Sequence, residues 1–181
     1  MADLIDAFKL LLTEFPDARL EIVGDGPEKT RLEKLVVDLG LVSCVIFAGS
    51  LRGDALYERY RDCDVFAMPS KTLEDDVEGF GTVFLEAGLF GKPSVGTFSG
   101  GIPEAVLDGE TGILSREGEV RELVDALKKL LSNERLRSEL GRNAQKRVLA
   151  EFTFDKGVEK LIRILRQPTT DRTKSSRLPQ S

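Results

Sequence analysis

Short apolar runs alternate with longer amphipathic stretches along most of this chain, and that alternation constrains its fold more than any single motif. Leu4, Ile5, Phe8, Leu11 and Leu12 recur at helical spacing, and Phe15-Pro16-Asp17 ends the stretch. A strand over 18–23 follows, then the turn Gly24-Asp25-Gly26-Pro27. Leu32, Leu35, Val36 and Leu39 form the next helical stripe, with Gly40 placed to close it in the left-handed region. Residues 44–48 read as a strand buried on both faces. A short helix over 53–61 leads into a strand over 64–68 that stops at Pro69, and an acidic, glycine-containing loop covers 70–81.

The alternation continues with a helix over 82–90, a strand over 93–97, a Gly-Gly loop with a short helix over 100–108, and a brief strand near 112–114. Val120, Leu123, Val124, Leu127, Leu130 and Leu131 mark an amphipathic helix, and Ser132-Asn133-Glu134 supplies a capping break before the next. A last helical stripe spans 154–165. Beyond Arg166 the apolar stripe is lost, and 167–181, rich in Pro, Ser, Thr and basic residues, reads as a disordered tail. The expectation is one α/β domain over 1–166, a Rossmann-like parallel sheet with helices on both faces. Ligands on such sheets bind beyond the carboxyl ends of the strands, which selects the loops 24–30, 49–54, 69–81 and 97–104.

Composition then removes several chemistries. The chain has no histidine, which excludes a histidine base and the Ser-His-Asp and Cys-His pairs. Cys44 and Cys63 are too few for a zinc finger or a disulfide framework, and each reads as an inert thiol in a reducing cytosol. A net charge of −5 argues against a nucleic-acid partner held by bulk charge. No apolar run approaches the roughly 20 residues of a membrane helix, and Asp3, Asp6 and Lys9 interrupt any secretory signal at the start.

The most informative stretch is Glu78-Gly79-Phe80-Gly81-Thr82-Val83-Phe84-Leu85-Glu86. Two carboxylates bracket a Gly-x-Gly and a helix start. The glycines let a ligand approach the backbone, and the helix N-terminus favours an anion. Carboxylates on either side accept hydrogen bonds from hydroxyls. A ligand bearing phosphate and vicinal hydroxyls, such as a nucleotide sugar, would satisfy all three. A surface Glu, a helix-start glycine pair and a solvated helical Glu account for the spacing equally well.

The neighbouring residues add to this. Asp64-Val-Phe-Ala-Met-Pro-Ser70 lies upstream; Gly91-Lys-Pro93, Ser99-Gly-Gly-Ile-Pro-Glu-Ala-Val106 and Asp108-Gly-Glu-Thr-Gly-Ile-Leu114 lie downstream. In order and spacing these runs resemble the nucleotide-sugar domain of the family-four retaining glycosyltransferases of the GT-B class, from the first helix to about Arg166. The resemblance implies that Glu78 contacts donor-sugar hydroxyls and is the candidate catalytic residue. It implies that Glu86 binds the ribose hydroxyls, that the backbone of Gly79, Phe80, Gly81 and Thr82 lies along the sugar and diphosphate, and that Gly100 and Gly101 give a second close backbone approach. It further implies transfer of a hexose from a UDP- or GDP-sugar to a lipid-linked or polysaccharide acceptor. That transfer would retain anomeric configuration and use no metal or other cofactor, in a cytoplasmic enzyme peripheral to the inner face of the membrane.

The sequence departs from that family in one respect. Family members open this domain with a strand, a Gly-Arg-type turn and a basic residue, whereas this chain starts at Met1, inside or just before the first helix. The expectation is an N-terminally truncated donor half, lacking its acceptor-binding partner domain and inactive in transfer by itself. Its sheet should have about five strands with an abnormal middle: either the strand at 18–23 meets that at 64–68, or a gap remains. A non-catalytic nucleotide-binding module and a nonfunctional gene fragment are the alternatives.

Five further features carry a plain and a functional reading. Gly24-Asp25-Gly26-Pro27-Glu28 lacks the third glycine of a dinucleotide fingerprint, Lys29 standing in its place, and reads as a tight turn before a helix. Residues 47–51 could line a base pocket or simply be core. Asp62-Cys63-Asp64 has the form of a metal-binding Asp-x-Asp but sits at the entry to a strand, and Glu74-Asp75-Asp76 could attract Mg²⁺ or be a solvated loop. Lys71 could attract phosphate or be an ordinary surface lysine.

Overall fold

A computed structural model describes residues 1–71, 81–153 and 155–156, and among these five parallel strands, β1 to β5, are interleaved with helices α1 to α7. Helix α1 (Ala2–Leu11) buries Leu4, Ile5, Ala7, Phe8 and Leu11, the stripe its spacing requires. It packs on α6 (Val120–Ser132), which returns Leu123, Ala126, Leu127 and Leu130. Ile5 and Leu130 are wholly removed from water, each burial contributing roughly 1.5–3 kcal/mol. Leu32 and Val36 of α2 (Lys29–Asp38) and Val45 and Val95 of the strands complete this larger core. Gly40, at φ 71°, closes α2: its amide donates to Val37 O and that of Leu41 to Val36 O, satisfying the last carbonyls of the helix.

Strand β1 (Leu20–Val23) pairs in parallel with β2 (Val45–Gly49). Strand β3 (Phe66–Ala67) pairs with β4 (Ser94–Thr97), and β4 with β5 (Gly112–Ser115), again all parallel. The five strands therefore form two sheets, one of two strands and one of three. Among the described residues no strand joins β1 to β3, so of the two arrangements expected for the middle of the sheet the gap is the one present. A cavity of about 370 Å³ opens at its entry end, lined by Phe15, Ala18 and Asp64 among others. The five parallel strands are those the alternation implies, and the gap divides them into the two sheets.

Strand β2 also differs from the expectation of burial on both faces, because Ile46 is 53% exposed. Among the described residues the strand has one neighbour, β1, and within it Val45 alone is fully buried. An apolar composition here reflects an outer strand with one covered side rather than a central one.

A smaller core lies beneath the second sheet: Phe84, Ile102, Ala105, Val106 and Leu114, with Phe66, Met68, Val83 and Leu85 against it. It joins α4 (Thr82–Leu89), α5 (Ile102–Ala105) and β5. Helix α3 (Asp54–Asp62) precedes β3. Helix α7 (Glu134–Glu151) begins at Asn133, whose side chain accepts a 3.0 Å bond from the amide of Leu136, as the capping break anticipated. Gly141 of α7 lies so near Gly91 that an added Cβ would stand 2.0 Å from the Gly91 carbonyl oxygen. Backbone packs directly on backbone where α7 crosses the end of α4. The helix expected over 154–165 and the tail over 167–181 lie outside the described residues, apart from 155–156.

Candidate functional site

Parallel strands all present their carboxyl ends to one side, and the loops leaving β3, β4 and β5 meet there. The hydroxyl of Thr97, the last residue of β4, donates to Ser70 O at 2.6 Å, tying the Pro69-Ser70 end of β3 to its neighbour. Ser115, at the end of β5, donates from its hydroxyl to Gly96 O at 3.2 Å, and its own carbonyl accepts from the amide of Phe98 at 3.0 Å. The rim is thus cross-linked by hydrogen bonds to buried polar side chains: Thr97 and Ser115 are 2% and 3% exposed.

Beyond β4 the chain turns through exposed Gly100, at φ 49°, and Gly101 into α5. Gly81 sits against Ile102, the first residue of α5. It caps α4 from the left-handed region, φ 66° and ψ 47°, and a Cβ added there would meet Phe84 Cδ2 at 2.9 Å and Ile102 Cγ1 at 3.7 Å. Any residue with a side chain would be strained and crowded at that point. Thr82, the first residue of α4, is exposed. The structure therefore brings Gly81, at the start of α4, to Ile102, the residue that follows the Gly100-Gly101 turn about twenty positions along the chain. Glu78, Gly79 and Phe80, together with Glu74, Asp75 and Asp76, lie outside the described residues.

Glu86 lies one helical turn beyond Thr82 on the same face of α4. Its Oε2 accepts a 2.9 Å hydrogen bond from the phenol of Tyr60 on α3. Tyr60 is buried; its ring stacks on Phe90 at 5.7 Å with planes 9° apart and tilts against Phe66 at 5.8 Å. Phe66 in turn meets Phe84 edge-on at 5.4 Å. Burial, and then the bond to Glu86, push the phenol well above its ordinary range. Sequence reasoning did not single out Tyr60. A tyrosine on the inner face of a short helix requires a partner for its hydroxyl, and that requirement was the available signal.

Other candidates resolve more plainly. Asp62 ends α3, Cys63 is extended, and Asp64 pairs with Arg137 at 3.4 Å, so this Asp-x-Asp stands at the entry end of β3, away from the rim. Gly24 leaves β1 at φ 131°, and the Asp25 carboxylate accepts from the amide of Gly26 at 3.0 Å, the tight turn of the plain reading. Phe47 packs against the larger core. Lys71 does stand at the rim, but its ammonium pairs with Asp3 at 2.8 Å, fastening the start of α1 beside the end of β3. Cys44 is buried and its thiol donates to Leu41 O at 3.3 Å; burial raises the Cys63 thiol pKa, with Lys92 opposing.

The model of the family described as glycosyl transferases group 1 matches residues 1–147. A GDP-mannose-dependent alpha-(1-6)-phosphatidylinositol monomannoside mannosyltransferase of Mycolicibacterium smegmatis is 39% identical over 140 residues, covering 76% of this chain and 37% of the relative. The sulfoquinovosyl transferase SQD2 of Arabidopsis thaliana is 37% identical over 144 residues, 78% of this chain and 26% of the relative. The chain thus spans roughly a quarter to two fifths of the length of these curated relatives.

Among solved structures, the C-terminal domain of the group 1 glycosyl transferase LpcC from Francisella tularensis superposes with a TM-score of 0.74 at 27% identity, over 84% of this chain and 79% of that one. Anabaena HepE in complex with UDP-glucose gives 0.73 at 30% identity, over 90% of this chain and 44% of that one. The architecture is the C-terminal, Rossmann-like half of a GT-B fold. By the extent of the family match and the identity to its members, the chain belongs to the group 1 glycosyl transferases.

Proposed function

We propose that this domain binds the donor of a retaining hexosyl transfer, a UDP- or GDP-sugar, at the rim formed by Gly81, Thr82, Glu86, Gly100 and Gly101. The observation that carries the reading is the placement of the capped start of α4 against Ile102, which opens α5 directly after the Gly100-Gly101 turn, with Glu86 one helical turn beyond Thr82. The first amides of a helix lack intrahelical partners and carry partial positive charge, which suits a diphosphate. Two glycines allow the ligand to approach the backbone, and a carboxylate on the same helical face suits vicinal ribose hydroxyls. The UDP-glucose complex of HepE, which has the same fold at 30% identity, supports the class of ligand. The named activities of the mannosyl- and sulfoquinovosyl transferase relatives support the class of reaction.

In the reaction proposed, the bond between the anomeric carbon and the diphosphate breaks and one to an acceptor hydroxyl forms on the same face. The diphosphate leaves with the bonding pair, stabilised by oriented amides rather than by a general acid, and its departing oxygen takes the proton of the acceptor hydroxyl. Glu78 is assigned to the donor-sugar hydroxyls, and no metal is required in this scheme. The acceptor, lipid-linked or polysaccharide, is assigned to parts of the whole enzyme beyond this domain, on the cytoplasmic face of a membrane. Among the described residues no helix is long and apolar enough to cross one.

The test is calorimetric titration of the chain with UDP, GDP and their hexose derivatives. Glu86→Ala is expected to weaken nucleotide binding tenfold or more, a hydrogen bond to a charged group being worth about 1.5–3 kcal/mol, while the thermal transition persists. Unchanged affinity in the variant contradicts the assignment.

A further inference from the structure

We propose that Tyr60 is the positioning residue for ribose recognition: its phenol holds Glu86 in the one orientation that receives the vicinal hydroxyls, and so sets the preference for ribonucleotides over deoxyribonucleotides. This rests on the reading of Glu86 given above. The geometry has three parts. The phenol donates to Oε2 of Glu86 at 2.9 Å, across a separation of 26 residues and between two different helices. The ring that carries it is fixed by stacking on Phe90 and by contact with Phe66, so the donor has little freedom to follow a wandering carboxylate. Glu86 itself is half-buried on α4, and Tyr60 is the hydrogen-bond partner of its carboxylate among the described residues.

A glutamate has three side-chain torsions, and an exposed one samples many rotamers. Receiving two hydroxyls at once requires the carboxylate plane to be set before the ligand arrives, or the ordering cost falls on binding. A carboxylate has about four acceptor sites, so one bond from Tyr60 leaves capacity for two ribose donors. The aromatic wall that fixes Tyr60 also runs through Phe66 to Phe84, which lies beneath Gly81. Glu86 and the start of α4 are therefore held by one continuous packing unit. A tyrosine placed only for packing would be served equally by phenylalanine, and that difference makes the role testable.

The experiment uses the chain as it stands, with UDP, GDP, 2′-deoxy-UDP and 2′-deoxy-GDP as probes, for the wild type, Tyr60→Phe and Glu86→Ala. In the wild type the ribonucleotide binds more tightly than its deoxy counterpart. Tyr60→Phe is expected to lose about five- to tenfold in affinity for the ribonucleotide and little for the deoxynucleotide, so that the ratio falls towards one. Tyr60→Phe weakening both equally, or neither, while Glu86→Ala collapses the ratio, overturns the role of Tyr60 and leaves that of Glu86 intact. A ratio that survives Glu86→Ala, or no saturable binding of any probe to the wild type, removes both.

Discussion

Tyr60 and Glu86 show what a single hydrogen bond between distant residues adds to a motif. The carboxylate could be picked out from its eight-residue separation from Glu78 and from the glycines between them. Its partner could not, because Tyr60 is 26 positions away and its role depends on how α3 lies against α4. Gly81 was legible for the opposite reason: the constraint is local, a left-handed residue at a helix start where a Cβ would strike Phe84. The phenol also leads to a pH dependence. Its pKa in the folded protein is raised, by burial first and the Glu86 bond second, above the value near 10 of the unfolded chain. Stability from the neutral phenol is thus fully present below about pH 10 and is lost as pH rises towards the folded value. Denaturant midpoints followed from pH 8 to 11 should fall more steeply for the wild type than for Tyr60→Phe; parallel curves would contradict the assignment.

Helix boundaries were the most legible elements, since their signals are short-range. Gly40 ends α2 and Asn133 opens α7 where the sequence placed a closing glycine and a capping break. Strand β2 was misjudged because an apolar run reports the chemistry of the side chains and not the number of neighbouring strands; Ile46 proved exposed. The crossing of α7 over the end of α4 left no periodic signal, resting as it does on one glycine, Gly141, beside another, Gly91. That contact carries the second sheet's helical cover, for α4 holds both Glu86 and the capped start. Gly141→Ala inserts a methyl where the nearest atom is backbone that has no rotamer to change. It should destabilise the domain by about 1–3 kcal/mol, read as a lower urea midpoint at unchanged slope. A midpoint equal to that of the wild type would show that the helices part without cost.

At the scale of the molecule, the alternation of strands and helices was enough to indicate parallel α/β architecture but not which strands pair. Pairing is a long-range property: β1 meets β2 across a helix, β4 meets β3 and β5, and β1 and β3 remain apart among the described residues. The amides of Leu20 and Gly24 donate to Cys44 O and Gly49 O of the β2 segment, so the alternation of a parallel ladder turns those of Glu21 and Val23 to the open side. The rim of the proposed donor site belongs to the three-stranded sheet, whose loops are joined by the Thr97–Ser70 and Ser115–Gly96 bonds. A nucleotide bound there should leave the separation of the two sheets untouched.

Hydrogen exchange of the chain with and without saturating UDP or GDP tests the location of the site most directly. The account predicts added protection concentrated at 81–86 and 97–102, with the amides of Glu21 and Val23 unchanged. Protection confined instead to the cavity lined by Phe15, Ala18 and Asp64, or absent from 81–86, would contradict it.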